Sequence, residues 1–205
     1  ISMEKLKTGD ILLFNSNGTG FFKYFSDLIK WGTHSKFTHI AMVLKDPTFI
    51  HPALKGLYVW ESGWEPGTDT QDGKHKLGVQ ITPLHEILHL YKENGGECYY
   101  RSLDGDPSCF SETNLEKIHH VVYNKPYDIC PVDWVEAYLQ KDMSPQKTDR
   151  FWCSSFVGYI YTQCGILESD MDWSILRPSD FSLEYDNQFL YFNKEYKLEP
   201  TENTL

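Results

Sequence analysis

Apolar side chains recur along the chain at two spacings, alternating or continuous in short runs and every third or fourth residue in longer ones. Ile11-Leu12-Leu13-Phe14, entered through Thr8-Gly9-Asp10, reads as a first strand bounded by turn residues. Apolar residues at 21, 22, 25, 28, 29 and 31 predict a helix from Phe21 to Trp31, ended by Gly32. Phe37 to Leu44 is apolar at successive positions, as in a strand covered on both sides. Tyr58 to Glu61 and Val79 to Thr82 supply two more strands, and the loop over 62–78 is long enough to shape or cover a cleft. Leu84 to about Lys92 then predicts a helix stopped by Asn94-Gly95-Gly96, before a strand from Glu97 to Leu103. Thr113-Asn114-Leu115-Glu116 has capping-box spacing and introduces a helix through Val122, with Ser111 as the alternative start. Pro131 suits the start of another helix reaching about Leu139. The most regular helix runs from Cys153 to Cys164, with residues 153, 156, 157, 160, 161 and 164 in one apolar stripe. Strands and helices mixed without strict alternation predict an α+β fold around a mainly antiparallel sheet.

At 205 residues the chain suits a single domain able to bury a core without disulfides or structural metal. No stretch approaches the roughly 18 to 20 apolar residues that a membrane span needs, so a soluble protein is expected, with no transmembrane segment. Against 29 acidic residues stand 19 basic ones, a net charge of −10 with no Lys/Arg cluster, which makes a nucleic-acid partner electrostatically unfavourable. The opening ISMEKLKTGD lacks the apolar stretch and cleavage site of a secretory signal, and Ile1-Ser2 reads as an addition ahead of a native start at Met3. The five cysteines, at 98, 109, 130, 153 and 164, are odd in number and irregular in spacing, which argues for a reducing, cytoplasmic setting without a disulfide framework. The polar tail, about 199–205, is predicted to be disordered.

His85-Glu86-Ile87-Leu88-His89 spells the pattern in which two histidines one helical turn apart hold zinc beside a glutamate base. The following His89-Leu90-Tyr91-Lys92-Glu93-Asn94-Gly95 lacks the spaced glycine and third histidine of the extended motif. Glu112 or Glu116 is available as a third ligand, but loosely spaced acids occur in any acidic chain. A zinc peptidase is therefore the weaker reading, and no metal or cofactor is expected. His34, His51, His75 and His119-His120 offer no ligand spacing and suit surface or packing roles, with His34 close enough to the His39 strand for a cleft edge.

A thiol acts as a nucleophile in its thiolate form, which the partial positive charge of a helix N-terminus favours. Cys153 is the one cysteine at such a place; Cys164 lies three turns on, Cys98 in a strand, and Cys109 and Cys130 in loop or boundary positions. The plain alternative for Cys153 is a small buried hydrophobe. His39 opens an apolar strand, either as a general base or as a hydrogen-bonded strand-end histidine. Glu61 ends another, where a carboxylate either fixes an imidazole tautomer or is solvated.

Taken in order, several short segments resemble the permuted branch of the NlpC-type papain-like hydrolases, the YiiX-like group that has poxviral relatives. They are Lys7-Thr8-Gly9-Asp10-Ile11-Leu12, Leu28-Ile29-Lys30-Trp31-Gly32-Thr33, Thr38-His39-Ile40-Ala41-Met42-Val43, Val59-Trp60-Glu61 and Val79-Gln80-Ile81-Thr82-Pro83-Leu84. Lys125-Pro126-Tyr127-Asp128 and Trp152-Cys153-Ser154-Ser155-Phe156-Val157 complete the series, which covers roughly residues 6–183 of the single domain. The histidine precedes the cysteine, the reverse of ordinary papain-like enzymes, as circular permutation would give. The resemblance implies a permuted papain-like fold with Cys153 as nucleophile, His39 as base and Glu61 as the orienting third group, and with Tyr127 and Ser154 as substrate contacts. It implies acyl transfer through a thioester on a peptide, acyl-amino-acid or lipid substrate, with N–H groups at the start of the nucleophile helix facing the oxyanion.

Many relatives carry Cys-Ser-Glu at the nucleophile where this chain has Cys153-Ser154-Ser155, a departure that bears on substrate preference. The first expectation is an amidase or peptidase. A lipid-directed acyl hydrolase or acyltransferase is the alternative, in which Phe21-Phe22-Lys23-Tyr24-Phe25 borders an apolar groove instead of packing a helix. A binding module that keeps the pocket without turnover is the third.

Overall fold

Strands that are apolar on both faces need cover on both sides, and the architecture follows from meeting that need. The computed structural model describes residues 3–16, 27, 30, 34–63, 67–128, 139 and 146–205. Among the described residues, eight strands run as β1 (Ile11–Asn15), β2 (His39–Lys45), β3 (Leu57–Gly63), β4 (Gly78–Pro83), β5 (Glu97–Arg101), β6 (Leu103–Asp104), β7 (Lys197–Leu198) and β8 (Asn203–Thr204). Six of them form one antiparallel sheet in the order β4-β3-β2-β1-β5-β8, and β6 pairs with β7 beside it. The helices are α1 (Leu84–Glu93), α2 (Glu112–Val122) and α3 (Cys153–Gln163). The fold is α+β, as the mixture of elements predicts.

Alternation along the strands sorts the core into two layers. Ile11, Leu13, Ile40, Met42, Trp60 and Ile81 face Phe156, Val157 and Ile160 of α3 and Leu115, Ile118 and Val122 of α2. Leu12, Phe14, Ala41, Val43 and Val59 face the other way, against Leu84 and Ile87 of α1. Each aliphatic side chain so enclosed contributes about 1.5–3 kcal/mol relative to exposure. The sheet is thus held from both sides, and its central strands are buried from Ile11 to Phe14 in β1 and from His39 to Leu44 in β2.

Several boundaries differ from the sequence reading. The helix at 112 takes Ser111 as its cap, whose hydroxyl accepts from the Asn114 N–H at 3.3 Å, so the Thr113 box is not used. The strand at 97 breaks at Ser102, whose carbonyl accepts from the Glu199 N–H at 2.8 Å, and β6 leaves to pair with β7. Of the loop over 62–78, Ser62 and Gly63 belong to β3 and Gly78 to β4. Its described remainder wraps the buried Asp69 carboxylate, which accepts from the Ile81 N–H at 3.3 Å and pairs with Lys76. The helices expected at 21–31 and 131–139 lie outside the described residues except for Asp27, Lys30 and Leu139.

The tail is a correction. Asn203–Thr204 pair with Tyr99 and Tyr100, and the Leu205 N–H donates to the Cys98 carbonyl at 2.9 Å. A polar composition does not prevent this, because an edge strand is completed through main-chain groups. Inward of it, Arg101 is buried and donates to the carbonyls of Phe181 (2.9 Å) and Glu199 (2.9 Å) and to Asp186 (2.9 Å), which ties the last thirty residues to the sheet.

Candidate active site

Antiparallel register decides which side chains meet at the end of the sheet. Met42 stands opposite Trp60, so Ala41 stands level with Glu61 and His39 level with Gly63. His39 and Glu61 therefore lie on one face of neighbouring strands, offset by a single step. Glu61 Oε2 is hydrogen-bonded to His39 Nε2. Glu61 is fully buried and His39 is 9 % exposed. The imidazole also rests against the Phe14 ring, with centroids 5.5 Å apart, which limits its rotation. A Cβ at position 63 would stand 3.1 Å from His39 Cε1 and 3.2 Å from Glu61 Oε2, so the pair closes over a residue without a side chain.

The nucleophile candidate arrives on α3. The Trp152 N–H donates to Ser155 Oγ at 3.0 Å, one half of a capping box, and Cys153 is the first helical residue. The approach to this helix is pinned from two directions: Ser62 Oγ donates to the Phe151 carbonyl at 2.5 Å, and the Phe151 N–H donates to the Pro126 carbonyl at 3.1 Å. Tyr127 bridges Phe151 in parallel, which carries its phenol to the same place.

Cys153 joins these parts. Its thiol lies close enough to the His39 imidazole to act on its charge, while Glu61 engages that ring at Nε2. Burial alone pushes the imidazole pKa down, but the charge of Glu61, the polar contact with Cys153, the hydrogen bond that Glu61 accepts and the sulfur's charge outweigh it and hold His39 well above its ordinary range. The Tyr127 phenol lies beside Cys153; burial, then the neighbouring sulfur charge, keeps that phenol protonated well beyond the usual range. A thiol beside an imidazole whose far nitrogen sits on a carboxylate can give up its proton without a separate base.

The structure thus brings Cys153, His39, Glu61 and Tyr127 together. Ser154 is a correction: its hydroxyl is buried and donates to the Leu176 carbonyl at 2.6 Å, because one step along the helix turns it away from Cys153 and into the packing. Ser62 and Gly63 were missed by sequence reasoning, although small residues directly after a strand-end glutamate are the signal. The other described thiols are set apart by burial, which raises Cys98 and Cys109 and pushes Cys164 up to about 12. Cys130 lies outside the described residues.

The zinc pattern finds no support in geometry. His85 and His89 are exposed on α1, and His89 pairs with Glu93 at 3.1 Å. Among the described residues no three His, Cys, Asp or Glu side chains converge as metal ligands, and no helix is long and apolar enough to cross a membrane. Compared with models of protein families and with curated proteins, the chain has no match in either.

Proposed function

We propose that this protein is a cysteine-dependent hydrolase of the amidase or peptidase type, built on a circularly permuted papain-like fold. The observation that carries the reading is the His39 imidazole, engaged by Glu61 on Nε2 and standing beside the Cys153 thiol. The ordered resemblance of seven segments to the permuted NlpC-type hydrolases supports it independently of geometry.

In the reaction, the His39 imidazole takes the thiol proton and the sulfur of Cys153 attacks the carbonyl carbon of an amide or ester. The C–S bond forms as the carbonyl π pair moves onto oxygen, which is stabilised by N–H groups at the start of α3. Collapse of the intermediate breaks the bond to the leaving group, which departs with the proton from His39. Water, deprotonated by the same imidazole, attacks the thioester and restores the thiol. Throughout, Glu61 keeps the ring in one tautomer and orientation.

The test is turnover and trapping. Incubation with peptide amides, acyl-amino acids and acyl esters should leave an acyl adduct on Cys153 that mass spectrometry identifies, and Cys153→Ala should abolish both adduct and turnover. A folded Cys153→Ala protein that still turns over substrate rejects the proposal. An adduct from a lipid ester alone would move the reading to the lipid-directed alternative, whose sequence basis, Phe21 to Phe25, lies outside the described residues.

A further inference from the structure

Behind Glu61 lies a second polar group that the proposed reaction does not use. In the β3–β4 ladder Glu61 stands directly opposite Gln80, and Val59 opposite Thr82, so Glu61, Gln80 and Thr82 share one face. All three are fully buried. Glu61 Oε1, both amide atoms of Gln80 and the Thr82 hydroxyl have no hydrogen-bond partner among the described residues. An amide left unpaired in an apolar interior is costly, and a buried carboxylate with one unpaired oxygen is costlier. Directly opposed residues in an antiparallel pair carry Cβ atoms about 4.5–5.5 Å apart, within reach of a side-chain hydrogen bond or one enclosed water. An apolar residue of similar size would satisfy packing at position 80, so packing does not account for an amide there.

We propose that Gln80, backed by Thr82, is a positioning residue for Glu61: its Nε2–H donates to Glu61 Oε1 through one enclosed water, and fixes Oε2 on the His39 imidazole. The proposal takes from the functional reading only the role of Glu61 as orienting acid. The carboxylate then has a donor on each oxygen, His39 on one and the water held by Gln80 on the other. Rotation about its terminal torsion, which is otherwise soft, would break both bonds at once. The Thr82 hydroxyl, two residues along the same face, closes the remaining valence of the amide.

The experiment follows the titration of His39 by NMR in protein with isotopically labelled histidine, without substrate. In Gln80→Met, which keeps volume but removes the donor, His39 should titrate about one pH unit lower than in the wild type. In a Glu61→Gln background the same substitution should leave the titration where it was, whereas a purely structural role would lower it in both backgrounds. Thr82→Val, nearly isosteric, should shift His39 in the same direction, and it carries the test if Gln80→Met does not fold. An unchanged His39 titration in folded Gln80→Met, or in Thr82→Val in its place, overturns the proposal. Those results do not depend on turnover: a Cys153 that never acylates would reject the hydrolase reading while leaving the Gln80 effect on His39 intact.

Discussion

His39 is held charged by its surroundings, and the sign of that effect sets a pH dependence. Burial opposes the imidazolium, while Glu61 and Cys153 favour it and prevail. A group whose pKa is higher folded than unfolded adds stability in full below its unfolded value, about 6.5 for histidine, and loses it as pH climbs through the folded value. The stability gap between wild type and His39→Gln, measured by urea unfolding, should therefore be widest near about pH 6 and shrink towards alkaline pH. A gap that grows with pH would contradict the assignment. At this scale the candidate residues were legible in part, because Cys153 and His39 each open an element and Glu61 lies two residues from the end of β3, and chemistry near an element boundary stands out against a regular pattern. Ser154 was misread because adjacency in sequence is not adjacency in space on a helix, where neighbouring residues diverge by about 100°. Gln80 looked like any polar residue in a strand, and only register places it opposite Glu61.

Elements were legible in kind and less so in their ends. The spacing of apolar residues located all five longer strands, since two-residue alternation survives whatever a strand pairs with. Ser111 and Thr113 were both acceptable starts for α2, and the choice rests on which hydroxyl reaches an N–H two or three residues on. Ser111→Ala should cost about 1 kcal/mol of stability, whereas the exposed Thr113→Ala should stay within about 0.5 kcal/mol, as thermal or urea unfolding can measure. Equal losses would show that the cap is shared. The single stripe expected on α3 proved too narrow, for residues 153–160 are all buried. The helix lies on the sheet with one side and against Trp173–Ile175 and Leu176 with the other. Gly158 serves that second contact: a Cβ there would come within 2.7 Å of Leu176 Cδ1 and 3.1 Å of Trp173 Cβ. A stripe reports the face packed on the main core but not cover added later in the chain.

The whole molecule was legible as a class and not as an arrangement. Apolar runs on both faces of the central strands announced a sheet enclosed by helices, yet strand order depends on which partners find each other across loops, and no local pattern encodes that. The tail shows the limit most clearly, because β8 pairs through backbone donors and acceptors, which have no side-chain signature. Removing residues 199–205 takes away β8 and the Glu199 carbonyl on which Arg101 donates. That truncation should lower stability by about 1–3 kcal/mol, since a buried guanidinium loses an acceptor. Urea unfolding of the two lengths tests it, and indistinguishable midpoints would mean that the tail adds nothing.

Consecutive residues of β3 serve opposite sides of the sheet. Glu61 grips the imidazole, while Ser62 grips the Phe151 carbonyl just ahead of the sulfur. One strand thereby gauges the imidazole and the thiol against each other, much as a single ruler marks two points. A slip of one residue would hand each grip to the wrong face, so the centre cannot drift gradually out of true; it is assembled or it is absent. A chain cut anywhere between positions 39 and 153 leaves the imidazole on one piece and the thiol on the other, and chemistry of this kind belongs only to the closed whole.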